Sequence, residues 1–191
     1  MAWCSAGGQD AAVKRRAIWF LAVPVLLIGA WFLVTGLVRR HVDERIQHRV
    51  GEPLPAFRLV DRAGRTWSDA DLRGKRAVLH FFRSFCHSCE VEAPAMRALE
   101  QALPDDVVLL HVMTDAVLEF APEATAATLA RKEFTRPVLM ADAAFVDAFQ
   151  GVRWSNVTPI TYVVDADGVV RFGLRGAQTQ SAIEQALAAV R

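Results

Sequence analysis

A chain of 191 residues with a formal net charge of +1 has room for one globular domain plus extras, and it offers no basic field for nucleic acid. Its three cysteines are too few for a disulfide-stapled scaffold. The 53% hydrophobic content is high for a soluble domain of this size, and much of the excess lies in one stretch.

Residues 1–16 form a short tail that ends on Lys14, Arg15 and Arg16. "AIWFLAVPVLLIGAWFLVTGLV" follows as residues 17–38, without a charge. At ~1.5 Å rise per residue this stretch spans a bilayer core of roughly 30 Å, and Pro24 is tolerable in such a helix. The run exceeds the roughly 7–15 residues of a signal core, and "LVRRHVDE" has no small-x-small cleavage site. The sequence therefore predicts an uncleaved anchor. Lys14 to Arg16 argue for a cytoplasmic N-terminus, but Arg39, Arg40, Arg45 and Arg49 lie just beyond the helix, so charge counting leaves the orientation open. Cys4 precedes the anchor and is placed across the membrane from the other two cysteines.

Residues 39–50, "RRHVDERIQHRV", read as a charged juxtamembrane linker, and 51–191 as the folded domain. "PAFRLVDRAGRTWS" predicts two short strands around the turn Asp61–Gly64. A loop with Gly74 leads into a buried strand over about 77–83, and a helix carrying Val91, Met96, Leu99 and Leu103 begins at the cysteines, with Pro94 expected to kink it. "DVVLLHVMT" reads as a buried strand, "EATAATLARKEF" as a helix, "PVLMAD" as a short strand and "AAFVDAFQG" as a helix stopped at Gly151. "ITYVVDADGVVRFGLRG" gives two strands joined by the turn Asp165–Gly168, and "QSAIEQALAAV" is a closing amphipathic helix. This order implies an α/β fold with helices around a mixed sheet.

The chemistry centres on Cys86-His87-Ser88-Cys89, where a buried strand gives way to a helix. At a helix N-terminus the unpaired N–H groups and the helix dipole stabilise an anion. A thiolate at Cys86 would have a lowered pKa, and the thiolate is the attacking species in disulfide exchange. Cys89, one turn on, can reach back and resolve a mixed disulfide, and is expected to be the more buried sulfur. Two other readings stay open. Half of a zinc site is one, although no second C-x-x-C and no H-x₃₋₅-H follows; copper(I) or zinc held weakly by the two sulfurs and His87 is another. Two structural thiols would be the plainest account.

Taken together, "GEPLPAFRLVDRAG", "DLRGK", "FFRSFCHSCEVEAP" and "NVTPITYVVDADGVV" resemble the TlpA/ResA group of membrane-anchored thioredoxin-fold thiol–disulfide oxidoreductases. The resemblance spans about residues 51–191, and the C-x-x-C-x-x-E-x-P arrangement of Cys86, Cys89, Glu92 and Pro94 is its most specific part. It implies a thioredoxin-like fold: a mixed central sheet flanked by helices, an N-terminal β-hairpin extension, and the N-terminal transmembrane helix. Departures are Phe85 where a tryptophan usually precedes the first cysteine, Phe81-Phe82 for an aromatic-Trp pair, Arg83 for a small residue, and a His-Ser dipeptide without proline. These put the redox potential and partner choice in question.

The resemblance implies that Cys86 exchanges with protein thiols or disulfides, that Cys89 resolves, and that Glu92 tunes the cysteine protonation. Physically, a carboxylate close to thiols raises their pKa and can accept the proton of the resolving thiol. Thr158-Pro159 matches the cis-proline that faces the cysteines, holding a substrate strand and denying metals close access. His80, on the buried strand, reads either as a hydrogen-bonded structural group or as a partner of Glu92 in moving the Cys89 proton. His87 reads either as a solvated loop residue or as a stabiliser of the Cys86 thiolate that pushes the pair towards oxidation. Phe85 is a candidate for the substrate groove, and Trp154 reads either as lining that groove or as packing beneath it. Asn156-Val157-Thr158 fits a glycosylation sequon but reads as structure. No organic cofactor and no resident metal is implied. The expected partners are protein substrates, a membrane-linked dithiol electron donor or acceptor, and the membrane itself through 17–38. The resemblance places the domain on the periplasmic or other extracytoplasmic side of the plasma (inner) membrane, as a single-pass protein. The direction is expected to be reductive, as in cytochrome c maturation or related assembly. Rival functions are a disulfide-forming oxidant or isomerase, and a copper-binding assembly protein using the same cysteines. A peroxidase would want threonine at the place of Arg83.

Overall fold

The computed structural model describes residues 7–150 and 157–190. The chain divides into two compact units, Met1–Val42 and Asp43–Arg191. Cys4, Gly151, Trp154 and Asn156, singled out above, lie outside the described residues.

Helix α1 (Gly7–Gln47) carries Pro24 within it. Its segment Ala22–Gln47 is long and apolar enough to cross a membrane, by length and composition. Side chains such as Leu26, Trp31, Phe32 and Leu33 are exposed, as a helix whose apolar side chains have no protein to pack against must leave them. The helix continues through the juxtamembrane segment to Gln47, the continuation by a turn or two that a charged linker after the anchor allows.

In the second unit, β1 (Arg58–Val60) and β2 (Thr66–Ser68) form a two-stranded antiparallel sheet. The turn between them is built by Asp61, whose carboxylate accepts the backbone N–H groups of Ala63 (2.8 Å) and Arg65 (2.9 Å) and the Trp67 indole N–H (2.9 Å). An aspartate that bonds its own following backbone favours a turn over continued strand. The remaining elements follow in chain order: β3 (Arg76–Phe82), α2 (His87–Ala102), β4 (Val107–Met113), α3 (Pro122–Lys132), β5 (Val138–Met140), α4 (Ala143–Gln150), β6 (Ile160–Val164), β7 (Val170–Arg175) and α5 (Gln180–Ala188). The five later strands make one sheet in the order β5-β4-β3-β6-β7. β3 is parallel to β4 and antiparallel to β6. This is the mixed sheet with an N-terminal hairpin that the sequence led us to expect.

Side chains alternate across a strand with period two, and this divides the core. Val78 and Leu109 face α2 and α5, packing with Met96, Leu99, Ile183 and Leu187. Phe82 and Met113, on the same face, pack with the two cysteines and Leu129 of α3. Phe81 points the other way, against Phe145 and Phe149 of α4. His80 and His111 share the parity of Val78 and Leu109, so both imidazoles enter the core beneath α2. One close approach requires glycine: a Cβ on Gly173 of β7 would lie 2.7 Å from Ile46 Cγ2.

One element end differs from expectation. The helix read as "EATAATLARKEF" stops at Lys132, because Glu133 takes a left-handed φ of 53°. α2 (His87–Ala102) carries Pro94 within it, as the sequence predicts.

Candidate active site

The parallel strands β3 and β4 end side by side, and the loop between β3 and α2 is fastened there by a buried polar cluster. Asp115, just past β4, accepts the backbone N–H of Ser84 (2.8 Å), the Ser84 hydroxyl (2.5 Å) and the Thr125 hydroxyl (2.8 Å). Ser84 Oγ also lies 2.8 Å from Thr128 Oγ1. With Ser84 fixed, Phe85 turns outward at φ 54°, 76% exposed, its ring edge-on to Phe120 at 5.5 Å. Asp115→Ala would leave these buried donors unpaired; it is expected to lower stability by about 2 kcal/mol or more. A comparison of urea midpoints checks this.

Cys86 follows as the N-cap of α2, and its sulfur accepts the backbone N–H of Cys89 at 3.1 Å. The Thr158 hydroxyl donates to the same sulfur at 3.4 Å. Cys86 and Cys89 are joined as a disulfide. Cys86 is 6% exposed and Cys89 1%, so the second sulfur is the deeper one. The Thr158-Pro159 peptide bond is cis; Thr158 is half-buried and Pro159 buried. The elements thus bring Phe85, Cys86, His87 and Thr158 to one end of the sheet. His87 and Ser88 are exposed.

Glu92 is buried one turn after Cys89, and its carboxylate does not end the network. Glu92 Oε2 lies 3.0 Å from His80 Nε2, His80 Nδ1 lies 2.9 Å from His111 Nδ1, and His111 Nε2 lies 2.7 Å from Glu100 Oε1. The backbone N–H of Gln178 donates to Glu92 Oε1 at 3.0 Å. Glu100 at the far end is more generously supplied: it accepts the Thr135 N–H (3.0 Å) and hydroxyl (2.7 Å) and the Arg136 N–H (3.3 Å). Burial opposes the charge on Glu100, but the His111 and Thr135 donors outweigh it and hold the carboxyl at about 2. Burial pushes the His111 imidazole down to about 4, against the pull of Glu100.

Lys132 is also buried, its ammonium donating to the Cys89 carbonyl and paired with Glu90 at 3.1 Å. Burial pushes its pKa down, and the Glu90 carboxylate works against that.

Of the residues read from sequence, the structure brings Cys86, Cys89, Thr158, Pro159, Phe85 and His87 to the sheet end, and Glu92 and His80 into contact beneath it. Sequence reading missed His111, Glu100, Asp115 and Lys132. His111 lies inside an apolar run that reads as strand. Only the register pairing His80 with His111 reveals its role, and register is not legible in one sequence.

The AhpC/TSA family pattern matches residues 50–172. A thiol:disulfide interchange protein DsbE of Pseudomonas fluorescens biotype C is 31% identical over 159 residues, covering 80% of this chain and 82% of that protein. The thiol-disulfide oxidoreductase ResA of Bacillus thuringiensis (strain Al Hakam) is 24% identical over 174 residues, covering 90% of this chain and 94% of that one. Among solved structures, a thioredoxin-family thiol:disulfide interchange protein from Chlorobium tepidum TLS has a TM-score of 0.61 at 23% identity, covering 72% of this chain and 94% of that one. That last likeness is one of fold. The sulfur pair at the start of α2 and these relatives lead to one conclusion: the chain belongs to the AhpC/TSA family, as a thioredoxin-fold thiol–disulfide oxidoreductase of the DsbE/ResA type.

Proposed function

We propose that this oxidoreductase is a single-pass protein of the plasma (inner) membrane that reduces disulfides in extracytoplasmic, in many cells periplasmic, protein partners. Residues 1–16 form the cytoplasmic tail, 17–38 the anchor, 39–50 the juxtamembrane segment and 51–191 the catalytic domain. The observation that carries the exchange step of this reading is the setting of the Cys86 sulfur; the reductive direction rests on the resemblance to the ResA group. It caps a helix, receives the Cys89 N–H, and is met by the Thr158 hydroxyl. Donors and dipole aimed at one sulfur stabilise its thiolate, the form that attacks and leaves in exchange.

In this reading Cys86 forms the mixed disulfide with the partner, and Cys89 resolves it. Glu92 with His80 manages the Cys89 proton. Pro159 and Thr158 hold an extended partner segment against Cys86, with Phe85 and His87 on the rim of the groove. Electrons come from a membrane-linked dithiol protein, which an oxidising compartment makes necessary, and no organic cofactor takes part. Partners undergoing cytochrome c maturation or related assembly fit this chemistry, and the names of the DsbE and ResA relatives support the exchange step itself.

The reduction potential of the full chain, measured against glutathione, tests the direction. A value below about −250 mV is expected, whereas one near −120 mV would make the protein a disulfide-forming oxidant. Copper(I) that survives purification, with no reduction of insulin disulfides, would overturn exchange in favour of metal handling.

A further inference from the structure

The buried chain Glu92–His80–His111–Glu100 has a proton count that its geometry fixes. Three hydrogen bonds in series, at 3.0, 2.9 and 2.7 Å, need three protons. Carboxylates supply none, and two neutral imidazoles supply two. The Nδ1–Nδ1 contact admits one proton and no more, since two lone pairs or two N–H groups at that distance repel. The chain therefore holds one proton beyond two neutral histidines, and its net charge is −1 wherever that proton sits.

The two ends are unequal hosts for the charge. Glu100 accepts three further donors from Thr135 and Arg136, whereas Glu92 accepts one, from Gln178. The negative charge is favoured at Glu100 and the extra proton at Glu92. The bonds then all point one way: the Glu92 hydroxyl to His80 Nε2, His80 Nδ1–H to His111 Nδ1, and His111 Nε2–H to Glu100. Glu92 and Glu100 lie eight residues apart on the inner face of α2, ~12 Å along the axis, with Cys89 one turn from the Glu92 end. The charged and titratable groups against the chain are Cys89, Lys132 with its partner Glu90, and Arg136, whose guanidinium donates to the Glu100 carbonyl.

We propose that this chain is a charge-displacing proton store for Cys89: it parks the carboxylate charge at Glu100 and presents a protonated Glu92 to the sulfur. The proposal rests on the exchange reaction above and adds His111 and Glu100 as positioning residues. When a thiolate of the electron-donor protein attacks Cys86, a new S–S bond forms to Cys86 and the Cys86–Cys89 bond breaks. The electron pair leaves on Cys89, so the donor sulfur is oxidised and Cys89 reduced. Glu92 gives its proton to the departing thiolate. On reoxidation Cys89 returns that proton to Glu92 as its sulfur attacks Cys86 in the new mixed disulfide. With Glu92 ionised instead, the leaving thiolate would face a like charge and no acid, a difference worth about 10²-fold or more in rate.

Glu100→Gln tests this with little change of shape. The amide oxygen can still accept from His111 Nε2 beside the Thr135 and Arg136 N–H groups, but the neutral amide holds no charge, so Glu92 becomes the one carboxylate of the chain and ionises more readily. In nitrogen-15 spectra of the oxidised full chain, wild-type His111 is expected to carry its proton on Nε2 with Nδ1 bare. Opening of the disulfide by a model thiol should slow tenfold or more at neutral pH in the variant and recover on acidification. A wild-type His111 protonated on Nδ1 overturns the proposal without any variant, and so does a variant whose pH profile for disulfide opening matches wild type. These failures are separate from failure of the exchange reading itself, which would appear as disulfide reduction that survives Cys86→Ser.

Discussion

Replacement of either cysteine by serine is expected to abolish catalytic turnover, but the two variants should fail differently. Cys86→Ser removes the sulfur that partners reach, and insulin reduction should fall on the order of 10³-fold or more with no covalent adduct. Cys89→Ser leaves the reachable sulfur and removes the resolving one, so a mixed disulfide through Cys86 should accumulate with the natural partner. The asymmetry follows from placement. Cys86 caps the helix beside the outward-turned Phe85 and the exposed His87, while Cys89 is almost fully buried beneath it. The stabilising donors also converge on Cys86: the Cys89 N–H and the Thr158 hydroxyl. Non-reducing electrophoresis followed by mass spectrometry of the trapped species reads both results and identifies the partner. An adduct that forms with Cys86→Ser and not with Cys89→Ser would reverse the assignment.

What the sequence made legible is what local physics writes locally. The hairpin turn appears in "VDRAG" because Asp61 satisfies the backbone N–H groups of its own turn. The redox pair is legible because a strand-to-helix junction and a three-residue spacing suffice to place two sulfurs on one turn. Glu92 is legible for the same reason, one turn further along the same helix face. The far half of the buried chain is not local. His111 meets His80 because β4 lies parallel to β3 in one register, and a slip of one residue would turn the imidazole to the other face of the sheet. Glu100 reaches Thr135 and Arg136 across 35 and 36 residues of sequence. Asp115 is similar: in sequence it is the end of a strand, and only the parallel pairing sets it under Ser84 to hold the loop before Cys86. Long-range polar contacts of this kind leave no period to detect.

That buried chain should also set the acid limit of the fold. In the folded protein burial holds His111 at about 4, against an ordinary value of 6.5. As pH falls from about 6.5 to 4, the unfolded chain binds a proton at residue 111 that the folded chain refuses. Stability is lost over this window, by about 3 kcal/mol at 1.36 kcal/mol per pH unit. Glu100 extends the loss downward. Its donors hold the folded carboxyl at about 2 against 4.5, so the unfolded chain again binds the extra proton as pH falls through that interval. Both groups act in the same direction, and their joint contribution is fully present only above about pH 6.5. A domain stable by roughly 5–15 kcal/mol would lose a substantial part of that before pH 4. The urea midpoint of the full chain, followed by near-ultraviolet circular dichroism, should therefore decline steadily from pH 7 to pH 4. His111→Gln lowers the plateau, since the amide replaces the ring's packing against Phe134, but it removes the titrating group. The variant's midpoint should be nearly flat between pH 6.5 and 4.5 where the wild type falls. Equal slopes in the two proteins would show that the acid sensitivity lies elsewhere in the fold.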